Sequence, residues 1–158
     1  MDKSIADRAA EAYNTMVDMS TTFMWPLKLH EDELPTSQEA VLHELKRQGR
    51  MNLTQLAHQV SVAKQTMTDI STKLIKLGYI RRIQDESNRR QILLELTPEG
   101  RTYVNEYEHA RIVYLKEHVF ASLSAEQLHQ VLDACQIICK LLDQTAIGEK
   151  YGIRELSE

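Results

Sequence analysis

The chain has 158 residues, of which 42% are hydrophobic and 27% charged, and it contains 5 glycines and 3 prolines. This composition is typical of a globular protein and excludes fibrous and disordered classes, while the length is that of about one domain. The sequence has no apolar run of membrane-spanning length and does not begin with the pattern of a secretory signal. We therefore expect a cytoplasmic protein.

The charge is distributed unevenly along the chain. The formal net charge is −4, which alone argues against a nucleic-acid-binding protein. Residues 64–90, however, carry seven Lys and Arg against three Asp and Glu, a local charge of +4, so that the rest of the chain carries −8. A basic middle between acidic ends is expected of a DNA-binding protein whose other segments serve dimerisation or sensing.

The first two elements are predicted to be helices. Apolar residues recur at helical spacing over residues 3–25, and Pro26 ends that run. Thr36 then offers an N-cap, and Glu39 completes a capping box of the form T-x-x-E. The second helix is expected to end at Gly49, because glycine tolerates the left-handed conformation found beyond a helix C-terminus.

Two further helices follow at close spacing. Asn52 is a predicted N-cap for a short third helix. The fourth helix is predicted over residues 64–77, where Gly78 closes it. One stripe of the fourth helix is apolar and is interpreted as ordinary core packing; it consists of Met67, Ile70, Leu74 and Leu77.

The pattern then changes from helical to strand periodicity. Residues 79–84 and 91–96 read as two short strands, and the polar segment 85–90 between them can close a hairpin. The order of a short helix, a tight turn, an amphipathic helix and a hairpin is that of a winged helix-turn-helix.

Two long helices complete the predicted elements. Thr97 and Pro98 form a helix start, with the hydroxyl as cap and the proline in the first turn. Ser124 and Gln127 form a capping box for a sixth helix. Its apolar residues recur at spacings of three and four, which favours packing against another helix; they are Leu128, Val131 or Leu132, Cys135, Ile138 and Leu142.

The polar face of the fourth helix is the predicted DNA-binding surface. It comprises Lys64, Gln65, Thr66, Thr68, Asp69, Thr72 and Lys73. We expect base contacts from Gln65 and Thr66, because the first turn of a recognition helix usually meets base edges, and phosphate contacts from the two lysines. The hairpin tip adds Asn88, Arg89 and Arg90, and an arginine on a narrow tip suits the minor groove.

The sequence resembles the multiple-antibiotic-resistance-regulator (MarR) family over nearly the whole chain, from the first predicted helix to the sixth, and most specifically over residues 52–101. The residues that carry the resemblance are NLTQLAHQVSVAKQTMTDISTKLIKLGYIRR and, after one further residue, QDESNRRQILLELTPEGR. The resemblance implies a mainly α fold with a small β wing, in which a winged helix-turn-helix lies between N- and C-terminal dimerisation helices. It also implies an obligate homodimer that binds a short inverted repeat in double-stranded DNA, commonly as a repressor released by a small ligand or by oxidation.

On this basis the chain is interpreted as one MarR-like domain spanning residues 1–158. Its parts are a DNA-binding lobe over 36–97, dimerisation helices over 1–30 and 98–147, and a C-terminal tail over 148–158.

Three residues depart from the family pattern. Ala63 stands where a serine usually caps the recognition helix, Asp69 where a basic or polar residue is common, and Asn88 where the wing usually has an aspartate. Asp85 is expected to pair instead with an arginine of the wing tip, which would leave only one of Arg89 and Arg90 for DNA.

A ligand pocket between the dimerisation helices and the DNA-binding lobe is a further hypothesis. An arginine among aromatic side chains would suit a small aromatic or acidic ligand, although the same aromatics could simply be core. The candidate lining residues are Met16, Trp25, Tyr107, Arg111 and Tyr114.

Metal binding and cysteine sensing are not predicted. Cys135 and Cys139 lie one helical turn apart, but two ligands do not make a metal site. No spacing compels a site among the scattered acidic and imidazole side chains, which are His30, Glu31, His43, Glu44, Glu108, His109 and His118. No cofactor is expected.

Two alternatives remain open on the residues themselves. Lys46, Arg47 and Arg50 either contact phosphates or simply complement the dipole at the end of the second helix. The chain lacks the common nucleophile, metal and phosphate-loop motifs, so we expect no enzyme. The rival to a DNA-binding regulator is a protein-interaction module that keeps the winged-helix fold without binding DNA.

Overall fold

The computed structural model describes residues 4–24 and 34–145. Its elements are α1 (Ile5–Met24), α2 (Thr36–Gln48), β1 (Met51–Asn52), α3 (Leu53–Gln59), α4 (Lys64–Lys76), β2 (Ile80–Gln84), β3 (Ile92–Leu96), α5 (Pro98–Tyr114), a π-helical segment (Leu115–Val119) and α6 (Ala125–Asp143). The predicted fold class, mainly helical with a small β wing, is confirmed. The predicted tail 148–158 lies outside the described residues.

The chain forms two compact units. The first runs to Ala110 and contains α1 to α4, the sheet and most of α5; the second runs from Arg111 and contains the end of α5, the π-helical segment and α6. Among the described residues, no helix is both long enough and apolar enough to cross a membrane. The division of the chain into a DNA-binding lobe, dimerisation helices and a tail remains a prediction.

The sheet of the first unit has three antiparallel strands in the order β1-β3-β2. The β2–β3 hairpin was predicted, and Arg81 lies opposite Glu95 in it. Strand β1 was not predicted: it is two residues long, and Met51 pairs with Leu94 far along the chain. A segment that short has no periodicity of its own, so only the long-range pairing defines it as a strand.

One hydrophobic core joins α2, α3, α4, the sheet and the start of α5. Its members are Val41, Leu42, Leu45, Met51, Leu56, Ala57, Met67, Ile70, Leu74, Ile80, Leu94, Leu96 and Val104. The prediction for Leu77 was wrong, because its side chain is 52% exposed. The helix ends at Lys76 and the chain turns away through Gly78, whose φ is 80°, so Leu77 leaves the core stripe.

Two of the predicted helix starts are capping boxes. In α3, the Asn52 side chain accepts a hydrogen bond from the Gln55 backbone N–H at 2.8 Å, and the Gln55 side chain accepts from the Asn52 N–H at 3.0 Å. Ser124 and Gln127 exchange the same two bonds at the start of α6. These reciprocal bonds satisfy backbone donors that the first turn of a helix leaves unpaired.

The predicted Thr36 cap is wrong. The residue that flanks α2 is Pro35, and no side chain caps this helix. The Pro35 carbonyl instead accepts hydrogen bonds from the backbone N–H groups of Gln38 and Glu39, at 2.7 and 3.1 Å. Because the extended backbone of Pro35 leads directly into the helix, Thr36 is already in the first turn, where its hydroxyl is not placed to cap.

The corner between the sheet and α5 depends on Thr97. Its hydroxyl donates to the Gly78 carbonyl at 2.6 Å and accepts from the Gly100 N–H at 3.0 Å, as expected of the predicted cap. The Thr97 backbone N–H donates to the Tyr79 carbonyl at 3.0 Å. These bonds tie the residues that follow α4 to the first turn of α5.

Close packing at the same corner requires a glycine at position 100. A Cβ atom added to Gly100 would lie 2.0 Å from the Tyr79 carbonyl oxygen, which is a backbone atom with little freedom to move. We expect Gly100→Ala to lower the free energy of unfolding by about 3 kcal/mol or more, since overpacking against backbone is relieved only by shifting whole segments. Chemical denaturation followed by circular dichroism measures this loss.

The matched control is Gly49→Ala, at a glycine with φ 83° and no heavy atom within 4 Å of the added Cβ. That change places an alanine at φ 83° and ψ −116°, a region open mainly to glycine, without a clash, and it should cost about 1–3 kcal/mol. If Gly100→Ala costs no more than Gly49→Ala, the corner does not depend on the close approach of Gly100 and Tyr79.

Candidate nucleic-acid interface

Helix α4 has one buried and one exposed face. The buried residues are Met67, Ile70, Ser71 and Leu74. Of the residues predicted to contact DNA, Thr68 is half-buried and the others are exposed; the exposed ones are Lys64, Gln65, Thr66, Asp69, Thr72 and Lys73. The structure therefore places the residues predicted to contact DNA outside the buried stripe of α4.

The centre of the exposed face extends beyond the first turn of α4, whereas base contacts were predicted only in the first turn. At about 100° per residue, the direction opposite the buried stripe falls nearest Gln65 and Lys76, with Asp69 and Thr72 beside them. Lys76 is exposed and was not included in the predicted site. A helical projection from the sequence would have found it, because Lys76 lies three turns after Gln65 on the same face. Thr66 lies at the edge of the face.

Two hydroxyl groups on α4 are already used within the helix. The Thr68 hydroxyl donates to the Lys64 carbonyl at 3.0 Å, and the Thr72 hydroxyl donates to the Thr68 carbonyl at 2.8 Å. A hydroxyl has one hydrogen, so in these rotamers both groups retain only lone pairs for an outside partner. Their methyl groups remain available for contact with apolar groups.

The turn that precedes α4 has an unusual conformation. It links α3 to α4 through Ser61, which has a φ of 56° and is in the left-handed region that favours glycine. Ala63 then occupies the N-cap position in extended geometry, with φ −63° and ψ 147°, and forms no side-chain cap. The predicted departure at this position is thus a missing hydrogen bond at the start of α4.

Restoring that bond is expected to stabilise the protein. Ala63→Ser places a hydroxyl where it can accept from an unpaired backbone N–H of the first turn, and the backbone at Ala63 already suits a cap. We expect the free energy of unfolding to rise by about 1 kcal/mol, measured by chemical denaturation.

Ala63→Val is the control for this variant, because it adds side-chain bulk without an oxygen. Equal stability of the serine and valine variants would contradict a capping effect. Asn52→Ala removes an existing cap and should lower stability by about the same amount.

The wing tip is organised by Asp85, although not in the predicted way. The Asp85 carboxylate accepts from the Ser87 backbone N–H at 2.9 Å and from the Ser87 hydroxyl at 2.7 Å. These bonds lower the pKa of Asp85 below its usual value. No ion pair joins Asp85 to Arg89 or Arg90 among the described residues, so the predicted pair is wrong. The Asp85 carboxylate reaches the Ser87 backbone N–H without ordering a long side chain. An exposed ion pair would have to order an arginine, so the local hydrogen bond is favoured.

Backbone contacts hold the rest of the tip and leave both arginine side chains exposed. The Asn88 side chain accepts from the Arg90 N–H at 3.2 Å, and the Asn88 carbonyl accepts from the Gln91 N–H at 2.8 Å. The Gln84 side chain donates to the Arg89 carbonyl at 2.7 Å. Asn88, Arg89 and Arg90 are all exposed. The tip therefore presents two arginines together, where the sequence had predicted one.

The basic residues at the end of α2 form ion pairs within the protein. Arg50 pairs with Glu95 at 2.8 Å, and Arg81 pairs with the other oxygen of the same carboxylate at 2.6 Å. Burial raises the pKa of Glu95, but hydrogen bonds from Arg81 and Arg50 outweigh it and hold this pKa below its usual value. Glu95 thereby links the end of α2 to the hairpin across the sheet.

Lys46 and Arg47 are paired as well. Lys46 forms an ion pair with the Glu108 carboxylate of α5 at 2.5 Å, and the same carboxylate lies 3.4 Å from Nδ1 of His43. Arg47 pairs with Glu44 at 2.6 Å. These ion pairs favour a role within the protein for Lys46, Arg47 and Arg50 over contact with phosphates. These three cations are less available to phosphates than the lysines of α4.

The described residues of the predicted ligand pocket are divided between the two units of the chain. Met16 is 42% exposed on α1, and the ring of Tyr107 packs edge-on against His43. Arg111 and Tyr114 belong to the second unit, where Tyr114 lies against His118. Trp25 lies outside the described residues, so the pocket remains a prediction.

Possible metal ligands do not gather in the part of the chain that the structure describes. No group of three or more His, Cys, Asp or Glu side chains there could hold an ion. His30 and Glu31 lie outside that part. Cys135 is exposed, Cys139 is half-buried, and both are free thiols.

Comparison with known proteins matches this architecture. Residues 34–92, from the start of α2 through the wing, match the model of the MarR family. This match covers 59 of the 158 residues, and over this segment the chain is similar to the MarR family. A chain segment of 87 residues is 30% identical to the HTH-type transcriptional regulator YsmB of Bacillus subtilis, over 55% of this chain and 57% of the relative. Across the curated relatives that it matches, the chain spans 29–57% of their length.

Solved structures share the fold over most of the chain. A MarR family protein from Bacillus stearothermophilus superposes with a TM-score of 0.71 at 17% identity, over 90% of this chain and all of that one. BpsR of Bordetella bronchiseptica, whose DNA binding is regulated by 6-hydroxynicotinic acid, has a TM-score of 0.54 at 18% identity, over 83% of this chain and 98% of that one. At these identities the likeness concerns the fold.

Proposed function

We propose that this chain is a sequence-specific DNA-binding transcription regulator of the MarR family. The observation that carries the proposal is the face of α4 opposite the core, which is exposed, polar and bordered by Lys64 and Lys73. In a winged helix-turn-helix, this helix enters the major groove and the wing reaches the adjacent backbone or minor groove. Arg89 and Arg90 on the wing tip supply the positive charge for that second contact.

The acidic total does not contradict this proposal. DNA affinity depends on the charges that meet phosphates, and these are local. Several acidic side chains are occupied by cations away from α4, as Glu95 is by Arg50 and Arg81. The lysines of α4 and the arginines of the wing tip form no ion pair with the protein among the described residues, and they remain available to DNA.

The regulator is proposed to act as a homodimer on an inverted repeat. Helix α6 has no buried residue in the single chain, and α1, α5 and α6 expose large apolar side chains. They are Ile5, Tyr13, Met16, Val17, Ile112, Leu128, Leu132, Ile137 and Leu141. So many exposed apolar groups on long helices favour association with a second copy. Two copies related by a twofold axis would contact two half-sites in opposite orientation.

Control by a small aromatic or acidic ligand is the remaining part of the proposal. Two observations support this part. Arg111 lies between the aromatic residues Tyr107 and Tyr114 in the sequence. An aromatic acid regulates DNA binding by the structural neighbour BpsR. A ligand that prefers one spacing of the two recognition helices would shift the dimer away from the DNA-bound spacing, as in a repressor. Location in the cytoplasm and the absence of catalytic activity stay predictions.

The wing arginines provide the first test. We expect the double variant Arg89→Ala/Arg90→Ala to bind its operator at least about tenfold more weakly, and its affinity to depend less steeply on salt, by about one unit of slope per lost phosphate-type contact. The measurement is fluorescence anisotropy with DNA from upstream of the protein's own gene, or with a selected sequence, at several salt concentrations.

A matched control removes two exposed cations outside α4 and the wing, Arg101→Ala/Lys116→Ala, and should leave both affinity and slope nearly unchanged. An equal loss in both double variants would indicate a non-specific charge effect. Failure of the wild-type protein to select any sequence would favour the protein-interaction module instead.

The dimer is tested on α6. Leu132 is 48% exposed, and Leu132→Asp would place a charge on the apolar side of the helix. Burying an unpaired charge in an interface costs several kcal/mol, so we expect the variant to sediment as a monomer at micromolar concentrations where the wild type is a dimer.

His129→Asp adds the same charge about 60° from Leu132 and about 80° from Ile137, and should leave the dimer intact. It lies on the polar strip that α6 forms with Asp133, Gln136 and Lys140. A dimeric Leu132→Asp protein would contradict a role for this side of α6 in association. Circular dichroism of both variants separates loss of the dimer from loss of the fold.

A further inference from the structure

We propose that Asp69 determines sequence specificity by accepting a hydrogen bond from an exocyclic amino group of a base in the major groove, that of cytosine first. The inference rests on the proposed function, because it concerns the same face of α4. It assigns a particular base chemistry to one position of the operator. It also gives a role to the acidic residue that departs from the family pattern.

The position of Asp69 supports a base contact. It lies on the exposed face about 40° from Gln65 and about 60° from Thr72, at 100° per residue. It is one turn beyond Gln65, deeper into the helix than the first turn. A side chain at the edge of the face would meet the phosphate backbone, whereas one near its centre faces the base edges.

The Asp69 carboxylate is also free of protein partners. It forms no hydrogen bond or ion pair among the described residues, although Lys73 follows at the spacing that usually pairs on a helix. Asp85, Glu95 and Glu108, by contrast, are all engaged by neighbouring groups. Asp69 therefore keeps its full acceptor capacity for an outside donor.

The chemistry of the groove restricts that donor. An ionised carboxylate can only accept hydrogen bonds. In the major groove, guanine presents the acceptors N7 and O6 and thymine presents O4, which would repel the carboxylate. Cytosine presents the N4 amino group alone, and adenine presents the N6 amino group beside the acceptor N7. Asp69 is thus complementary to cytosine, tolerates adenine and disfavours guanine and thymine.

The same charge lowers affinity for DNA that lacks the matching base. A carboxylate entering the groove is repelled by phosphates on both strands, and this repulsion is independent of sequence. Only a correctly placed amino group compensates for it. Asp69 therefore increases the ratio of specific to non-specific binding at the expense of total affinity, which is discrimination by a repulsive element.

The experiment compares wild type, Asp69→Asn and Asp133→Asn. Asparagine has nearly the same shape as aspartate, is neutral and can also donate, so the Asp69 variant should lose the discrimination without losing the fold. Asp133 is exposed on α6, and Asp133→Asn makes the same change in charge outside α4. Each protein is used to select binding sites from a random double-stranded library, and affinities are then measured for the selected site and its single-base variants.

We expect the wild-type site to contain one position in each half-site where cytosine is preferred and where guanine or thymine weakens binding about five- to tenfold. In Asp69→Asn this penalty should fall below about twofold, while affinity for unrelated DNA rises. Asp133→Asn should behave as the wild type. Equal thermal unfolding of the three proteins would show that the variants differ only in recognition.

Two other results would contradict the proposals, in different ways. An identical selected site for wild type and Asp69→Asn, with equal penalties at every position, would overturn the role of Asp69 and leave the DNA-binding function in place. Failure of the wild-type protein to enrich any sequence would overturn the proposed function itself, and the inference about Asp69 with it.

Discussion

The hydroxyl group of Thr97 fixes the geometry on which the candidate interface depends. It bonds to the carbonyl of Gly78, just beyond the end of α4, and to the N–H of Gly100, in the first turn of α5. The close approach of Gly100 to Tyr79 brings the two backbones together at the same place. Because these bonds and this close packing join the two segments directly, we expect a rotation at the start of α5 to be transmitted to the end of α4.

Ion pairing then decides which positive charges the interface presents. Glu95 holds Arg50 and Arg81, and Glu108 holds Lys46, so these three cations join the end of α2 to the sheet and to α5. Exposed ion pairs contribute little to stability, but a half-buried carboxylate shared by two arginines orders both side chains. Within the basic segment 64–90, all of which the structure describes, the cations of α4 and the wing tip form no ion pair with the protein, and neither does Arg82.

The sequence was most informative where structure depends on neighbouring residues. The caps at Asn52 and Thr97 and the box at Ser124 each need only three or four consecutive residues, and all were predicted. Errors arose where a second local motif competed: the carbonyl of Pro35 replaces a side-chain cap at α2, and Ser87 satisfies Asp85 in place of an arginine. Strand β1 could not be predicted, because its pairing with β3 is a long-range contact. The exposed face of α4 could be predicted from periodicity. That Asp69 has no hydrogen-bond or ion-pair partner among the described residues is seen only in the structure.

The proposed homodimer would turn these local features into regulation. A chain with a net charge of −4 and a carboxylate on its recognition face should bind non-specific DNA weakly, so occupancy of an operator would depend on both recognition helices engaging at once. Simultaneous engagement requires the two α4 helices to match the spacing of successive major grooves. Since Thr97 couples α4 to α5, and α5 is one of the proposed dimerisation helices, a small change in how two copies associate would reach the candidate interface on α4. Weak non-specific binding and strict spacing together would make release from the operator sensitive to a modest structural change.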